Sequence, residues 1–210
     1  MDECCDQTED VLEKIAQRQA ATLKIVLGIN FLMFMVEVVA GLYAGSTALL
    51  ADSLDMLGDT FAYGFSLYVV RRSSAWKAVS AMIKGGFIAA FGLFVFGQAA
   101  YKMIVPESPH FETIGLIGLL ALIANSACLA LLWRHRAEDI NMRSVWLCSR
   151  NDILANVSVL VAAAGVWLSG SQWPDVLIGL GIALVFFRSA IRIVRDGFHT
   201  YKRSPKNPSE

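Results

Sequence analysis

Charge is scarce in this chain of 210 residues. Asp, Glu, Lys and Arg make up 17%, against 56% hydrophobic residues. A soluble domain of this length usually carries more charge. The four cysteines, Cys4, Cys5, Cys128 and Cys148, include no Cys-x-x-Cys pair. That excludes zinc-ribbon spacing, and adjacent Cys4 and Cys5 do not suggest a disulfide framework. A cleavable signal peptide is also missing, because the first twenty residues are polar and acidic. The formal net charge of +0 says nothing about nucleic acid, and no nucleic acid partner is expected. There is no strong internal repeat.

What the chain has instead is long apolar runs. Six blocks fall at roughly 22–43, 47–70, 79–101, 113–133, 145–168 and 174–194. About 20 apolar residues cross a ~30 Å hydrocarbon core as a helix. Lipid offers backbone groups no partner, so such segments must be helical. The expected fold class is all-α: a polytopic membrane protein with six transmembrane helices. Basic residues lie before the first block, between the second and third, between the fourth and fifth, and after the sixth. The other three connections carry one base, Lys102. That alternation places both termini in the cytoplasm. The chain divides into an N-terminal amphipathic segment (1–21), a membrane domain (22–197) and a polar tail (198–210). Asp6 is read as the cap of the first segment, with Glu9 completing a capping-box-like start. No room is expected for a second folded domain. A multi-pass protein of the cell (inner) membrane follows, with the lipid bilayer as its solvent.

The second block reads STALLADSLDMLGDTFAYGFSLYVV and holds three aspartates. Each costs about 2.5–3.5 kcal/mol at the centre of a membrane helix on insertion scales. Asp52, Asp55 and Asp59 are spaced i, i+3, i+7 and share one helix face. Three like charges there would repel, so either some are protonated or a cation sits between them. The face is built for a cation, for protons, or for exchanging one with the other. For Asp52, near the end of its block, facing water or capping packing is the other reading.

The fifth block carries a second cluster, CSRNDILAN. Cys148 and Asp152 are four apart, and Asn156 extends the same face by one turn. A thiolate and three carboxylates would supply four ligands from two helices, a set that tetrahedral zinc accepts. The thiolate shifts preference toward softer ions and away from Mg²⁺. Cys148 as a small buried hydrophobe is the competing reading. Asn30 and Glu37 on the first helix face one way and could line the same cavity; Glu37 could instead pair with Arg150. Asn125 is read as an interhelical hydrogen-bonding residue, and Asp175 as favouring a helix N-terminus. Cys4 and Cys5 are either a metal-capture pair or idle. Counted at about 1.5 Å per residue from Arg71 and Arg143, the two ligand pairs are offset by about two helical turns. The fifth helix would then have to begin well below the membrane surface.

The second block, AGSTALLADSLDMLGD, resembles the second-helix motif of the cation diffusion facilitator family, AGSxALLADxxHxxxD. Asp55 and Asp59 stand at its two ligand positions. NMRSVWLCSRND resembles the fifth-helix motif, with Cys148 and Asp152 at the ligand positions. Asn30, Glu37 and Gly41 fit the family's polar first helix, and WPDVLIGLGIALVFFRSAIRIVRDG is similar to its last. The resemblance spans about 22–197. It implies a metal site at Asp55, Asp59, Cys148 and Asp152, with Asp52, Glu37, Asn30 and Asn156 along the pathway. It also implies alternating access, with a divalent cation (Zn²⁺ or Cd²⁺) carried out and H⁺ carried in, and no resident cofactor. Three departures stand out. Cys148 replaces the usual His or Asp, the cytoplasmic domain that normally follows the sixth helix is not present here, and His135 alone represents the usual histidine-rich loop. Any homodimer would then form through the membrane helices, where Gly86, Ala90 and Gly97 of KGGFIAAFGLFVFGQAAY could allow close approach.

Two other classes fit parts of this pattern. An intramembrane aspartyl enzyme could share a proton between paired aspartates, but residues 56–59 are MLGD, not Gly-x-Gly-Asp. A non-transporting metal sensor or partner subunit is the remaining alternative.

Overall fold

A computed structural model describes the backbone of residues 2–68, 74–133 and 140–203; side chains of 1–19, 65–78, 80–81, 134–151, 200–201 and 203–210 lie outside the described set. The described residues form six helices: α1 (Asp2–Ala44), α2 (Thr47–Tyr68), α3 (Ser74–Ile104), α4 (Phe111–Trp133), α5 (Ile140–Ser169) and α6 (Trp173–Arg203). α1 runs unbroken from Asp2, so Asp6 sits inside a helix and does not start one. α6 continues to Arg203.

Among the described residues, five helices contain stretches long and apolar enough to cross a membrane, at 20–44, 82–104, 111–133, 152–169 and 173–199. α2, with its three aspartates, is not among them. It needs no apolar surface of its own, because it packs against α1, α3, α5 and α6. The bundle buries polar groups among apolar clusters and is apolar outside. Glu37, Asp52 and Asn156 are fully buried, while Leu32, Val39, Leu116, Leu168 and Val185 are exposed. An apolar surface this continuous marks a membrane protein.

Short turns join the helices at one end, called the upper end below. Gly45 has φ +59°. Its N–H donates to Leu42 O (3.3 Å), and that of Ser46 to Gly41 O (2.8 Å). This is a Schellman stop for α1, and the left-handed position favours glycine. Gly170 (φ +61°) ends α5 in the simpler way, its N–H reaching Val166 O at 2.8 Å. The 105–110 connection is tied down by His110 N–H to Ala44 O (3.1 Å) and Glu107 N–H to Gln172 Oε1 (2.9 Å).

α2 is capped largely by another helix. Ser46 Oγ accepts from Leu49 N–H at 3.1 Å, an ordinary N-cap. Asp175, on the first turn of α6, accepts from Thr47 N–H (2.7 Å), Ala48 N–H (3.1 Å) and Ser46 Oγ–H (2.5 Å). The sequence expectation gave Asp175 only its own helix to favour; it also serves α2. Lys102, the lone base of the upper connections, pairs with Asp175 at 3.3 Å and donates to Gly45 O. Gly179 makes the approach possible. A Cβ there would lie 2.6 Å from the Thr47 carbonyl carbon.

α3 and α6 pack closely through Gly85, where a Cβ would meet Val194 at 2.7 Å. A Cβ added at Gly86 or Gly97 would meet no other part of the bundle within 4 Å, and Ala90 is exposed. The three residues singled out for close approach therefore point away from their own bundle.

Candidate metal centre

α2 presents Asp55 and Asp59 one turn apart, and α5 presents Asp152 opposite them. All three are buried, at 6%, 8% and 6% exposure. One oxygen from each lies within 4.8 Å of the others. The offset counted from flanking bases is thus absent: Asp152 lies level with Asp55 and Asp59, and Ile140 begins α5 about three turns before Asp152. At an effective dielectric of ~20, two charges at this spacing repel by about 3–4 kcal/mol. Three such pairs demand protons or a cation. Tetrahedral zinc with bonds of about 2.0–2.2 Å would hold oxygens about 3.4 Å apart, which small side-chain rotations reach. Three carboxylates leave one tetrahedral position open.

Cys148 lies on α5 one turn before Asp152, but its side chain is outside the described residues; so are those of Arg150, Cys4 and Cys5. Asp59 Oδ2 accepts a hydrogen bond from Tyr63 O–H, which fixes the carboxylate's orientation. Tyr63 was not singled out from the sequence, although its i+4 relation to Asp59 was there to read. Lys84 on α3 lies within electrostatic reach of Asp59.

A polar chain runs upward from the centre. Asn125 Nδ2–H donates to Asn156 Oδ1, and Asn156 Nδ2–H donates to Asp52 Oδ2, each at 2.8 Å. Asn125 thus bonds between helices as expected. Asp52 is 0% exposed, which rules out the reading in which it faces water. Glu37 on α1 acts electrostatically with Asp52 and Asp55. Neither of its oxygens has a partner among the described residues. Asn30 lies apart from this chain. Its Nδ2 donates to Val26 O (2.9 Å) and reaches Cys128 Sγ at 3.8 Å. Of the candidate pathway residues, Asp52 and Asn156 thus share one hydrogen-bonded network, Glu37 is buried without a hydrogen bond to it, and Asn30 bonds elsewhere.

The family model for the cation efflux transmembrane domain matches residues 23–200. This chain belongs to the cation efflux family. It is the family that the second-helix motif resembles, and its members are transporters, not enzymes. Similar relatives include the zinc transporter ZitB of Yersinia pestis, 25% identical over 190 residues, covering 84% of this chain and 61% of ZitB. The metal cation efflux system protein CzcD of Cupriavidus metallidurans is 27% identical over 195 residues, covering 84% and 62%. A cadmium, cobalt and zinc/H⁺–K⁺ antiporter of Bacillus subtilis is 24% identical over 196 residues, again covering 84% and 62%. The chain spans about three-fifths of the length of these relatives. As a cation efflux domain built of membrane-length helices, it is a multi-pass membrane protein.

Proposed function

We propose that this chain exports divalent transition-metal cations, Zn²⁺ or Cd²⁺ foremost, from the cytoplasm in exchange for protons. The observation that carries the reading is the convergence of Asp55, Asp59 and Asp152 within 4.8 Å inside a lipid-facing bundle. Metal ligands must be deprotonated to bind, so a proton and a metal ion compete for one set of oxygens. That competition is a sufficient chemical basis for antiport. Asp52, Glu37 and Asn156 would line the route above the centre and Asn30 the route below it, with both termini cytoplasmic. Cys4 and Cys5 would capture metal near the N-terminus. The test is metal uptake into everted vesicles or proteoliposomes under an imposed pH gradient, across Zn²⁺, Cd²⁺, Mn²⁺, Fe²⁺, Co²⁺ and Ni²⁺. Uptake of Zn²⁺ or Cd²⁺ that collapses with the gradient supports the reading; gradient-independent background uptake of every ion refutes it.

Cys148 is proposed as the fourth ligand. A thiolate favours softer ions, so Cys148→Ser should lower Cd²⁺ transport more than Mn²⁺ transport, and Cys148→Asp should raise relative Mn²⁺ transport. An unchanged Cd²⁺/Mn²⁺ ratio in the serine variant would remove Cys148 from the centre.

A homodimer would use the outward face of α3. Small residues let membrane helices approach closely, and Gly86, Ala90 and Gly97 are open in the single chain. Single cysteines placed along 86–97 should cross-link between copies with helical periodicity. Absence of a cross-link at every position would exclude this interface.

A further inference from the structure

Burial along α2 changes at the carboxylate centre. Every residue from Ser46 to Met56 is buried, while 57, 58, 60–62 and 64 are half-buried. The upper end is the closed one, and what closes it comes from two other helices. Asp175 on α6 accepts from Ser46 O–H (2.5 Å), Thr47 N–H (2.7 Å) and Ala48 N–H (3.1 Å) of α2 and its preceding turn. Lys102 on α3 pairs with Asp175 at 3.3 Å and donates to Gly45 O in the same turn. Gln172 ties the end of α3 to the start of α6. Its amide N–H donates to Lys102 O at 2.8 Å, and its oxygen accepts from Glu107 N–H at 2.9 Å.

The bland explanation is a helix cap. Ser46 already provides one, accepting from Leu49 N–H at 3.1 Å. Asp175 and Lys102 are both buried, and a buried ion pair is a poor addition for stability alone, because desolvation can cancel its attraction. The pair's position points elsewhere. α3 packs most on α6, and α2 most on α1. The two charges belong to the first of these helix pairs, and the groups they hold belong to the second. Below them the seam between the pairs is apolar, with Leu50, Ala51 and Leu54 against Ile88, Val95 and Ala183. Apolar contact is non-directional and tolerates sliding. Charged hydrogen bonds are directional, and they are either made or broken.

We propose that Asp175 and Lys102 form a latch that seals the outward mouth of the bundle and releases when the centre opens to that side. It rests on the reading that the chain is an exporter with both termini cytoplasmic, which puts the upper end outside. Latched, α6 lies directly on the first turn of α2, with no side chain between them at Gly179. Released, α3 and α6 draw off together, because Gln172 ties them. Lys102 and Asp175 leave as a pair, so neither charge is stranded. Water takes over the bonds of Gly45, Ser46, Thr47 and Ala48.

The test uses the full chain carrying Ala51→Cys, with and without Lys102→Met. Ala51 is 0% exposed and lies in the apolar seam between the latch and the centre. A membrane-impermeant maleimide is added to right-side-out and to everted vesicles, and the labelled peptides are read by mass. Cys128, 1% exposed in a separate core cluster, is the internal control. The labelling rate follows the population of the open state. Losing one charged hydrogen bond should raise that population, and so labelling at 51 from outside, by at least about tenfold, with Cys128 unchanged. No gain at 51 overturns the latch. An equal gain at Cys128 also overturns it, because the bundle has then merely loosened. A gain only in everted vesicles overturns its outward assignment. Zn²⁺ uptake by the unmodified chain is measured in parallel. No uptake there overturns the transport reading, whereas labelling at 51 still decides whether the pair closes the upper end.

Discussion

Asp59→Ala is expected to abolish metal-dependent transport while the chain still inserts and elutes as one species. Asp59 is one of three carboxylates whose oxygens lie within 4.8 Å. Losing a supporting residue of a metal site typically costs about 10–100-fold, so losing a ligand should cost more than about 100-fold. Asp59→Asn tests charge alone, since it keeps the shape and an oxygen for Tyr63; transport should be lost there too. Tyr63→Phe keeps the ligand but frees its orientation, because the hydroxyl bonded to Asp59 is gone. It should fall between, at about 10–100-fold. The stability effect has the opposite sign. Removing one of three mutually repelling groups should leave the metal-free Asp59→Ala chain at least as thermally stable as the parent, a trade-off common at functional sites. Normal flux in Asp59→Ala would take the site off α2.

The second large effect is structural and lies at the upper end. Asp175→Ala removes the acceptor for Thr47 N–H, Ala48 N–H and Ser46 O–H, and leaves Lys102 buried without its partner. Breaking a buried ion pair by deleting one member costs about 3–5 kcal/mol, and losing a cap adds about 0.5–2 kcal/mol. Lys102→Met should cost less, because Asp175 still holds three donors. The double variant should recover part of the loss, since the lysine is no longer stranded. Thermal denaturation in one detergent, with all variants at matched concentration, gives the ranking: Asp175→Ala least stable, the double variant next, Lys102→Met nearest the parent. Lys102→Met below Asp175→Ala would show that the pair, not the cap, dominates.

The contrast between these two regions shows what the sequence made legible. Asp55 and Asp59 could be read because both lie on one helix, where i, i+4 spacing sets the face. Asp152 followed because it stands four residues after Cys148, on the same helix face. Its depth relative to α2 did not follow: bases in the flanking loops mark where a helix leaves the membrane poorly, since helices run past the interface by different lengths. The capping of α2 by Asp175 was illegible for a related reason. It depends on α6 crossing the first turn of α2 at Gly179, a contact between residues far apart in sequence. Asn30 was grouped with Glu37 by helical period, yet a seven-residue step is about 10 Å along the axis. The two therefore serve different layers. The continuity of α1 was missed because a polar start and an apolar end look like two elements, although both have helical propensity.

X-ray absorption at the zinc edge tests the central claim most directly, because it reports the atoms around the ion. With Zn²⁺ bound to the full chain, the nearest shell should contain carboxylate oxygens at about 2.0–2.2 Å, and that component should disappear when Asp55, Asp59 and Asp152 are replaced together by alanine. An unchanged shell in the triple variant, or a shell of sulfur and nitrogen alone in the parent, would contradict it.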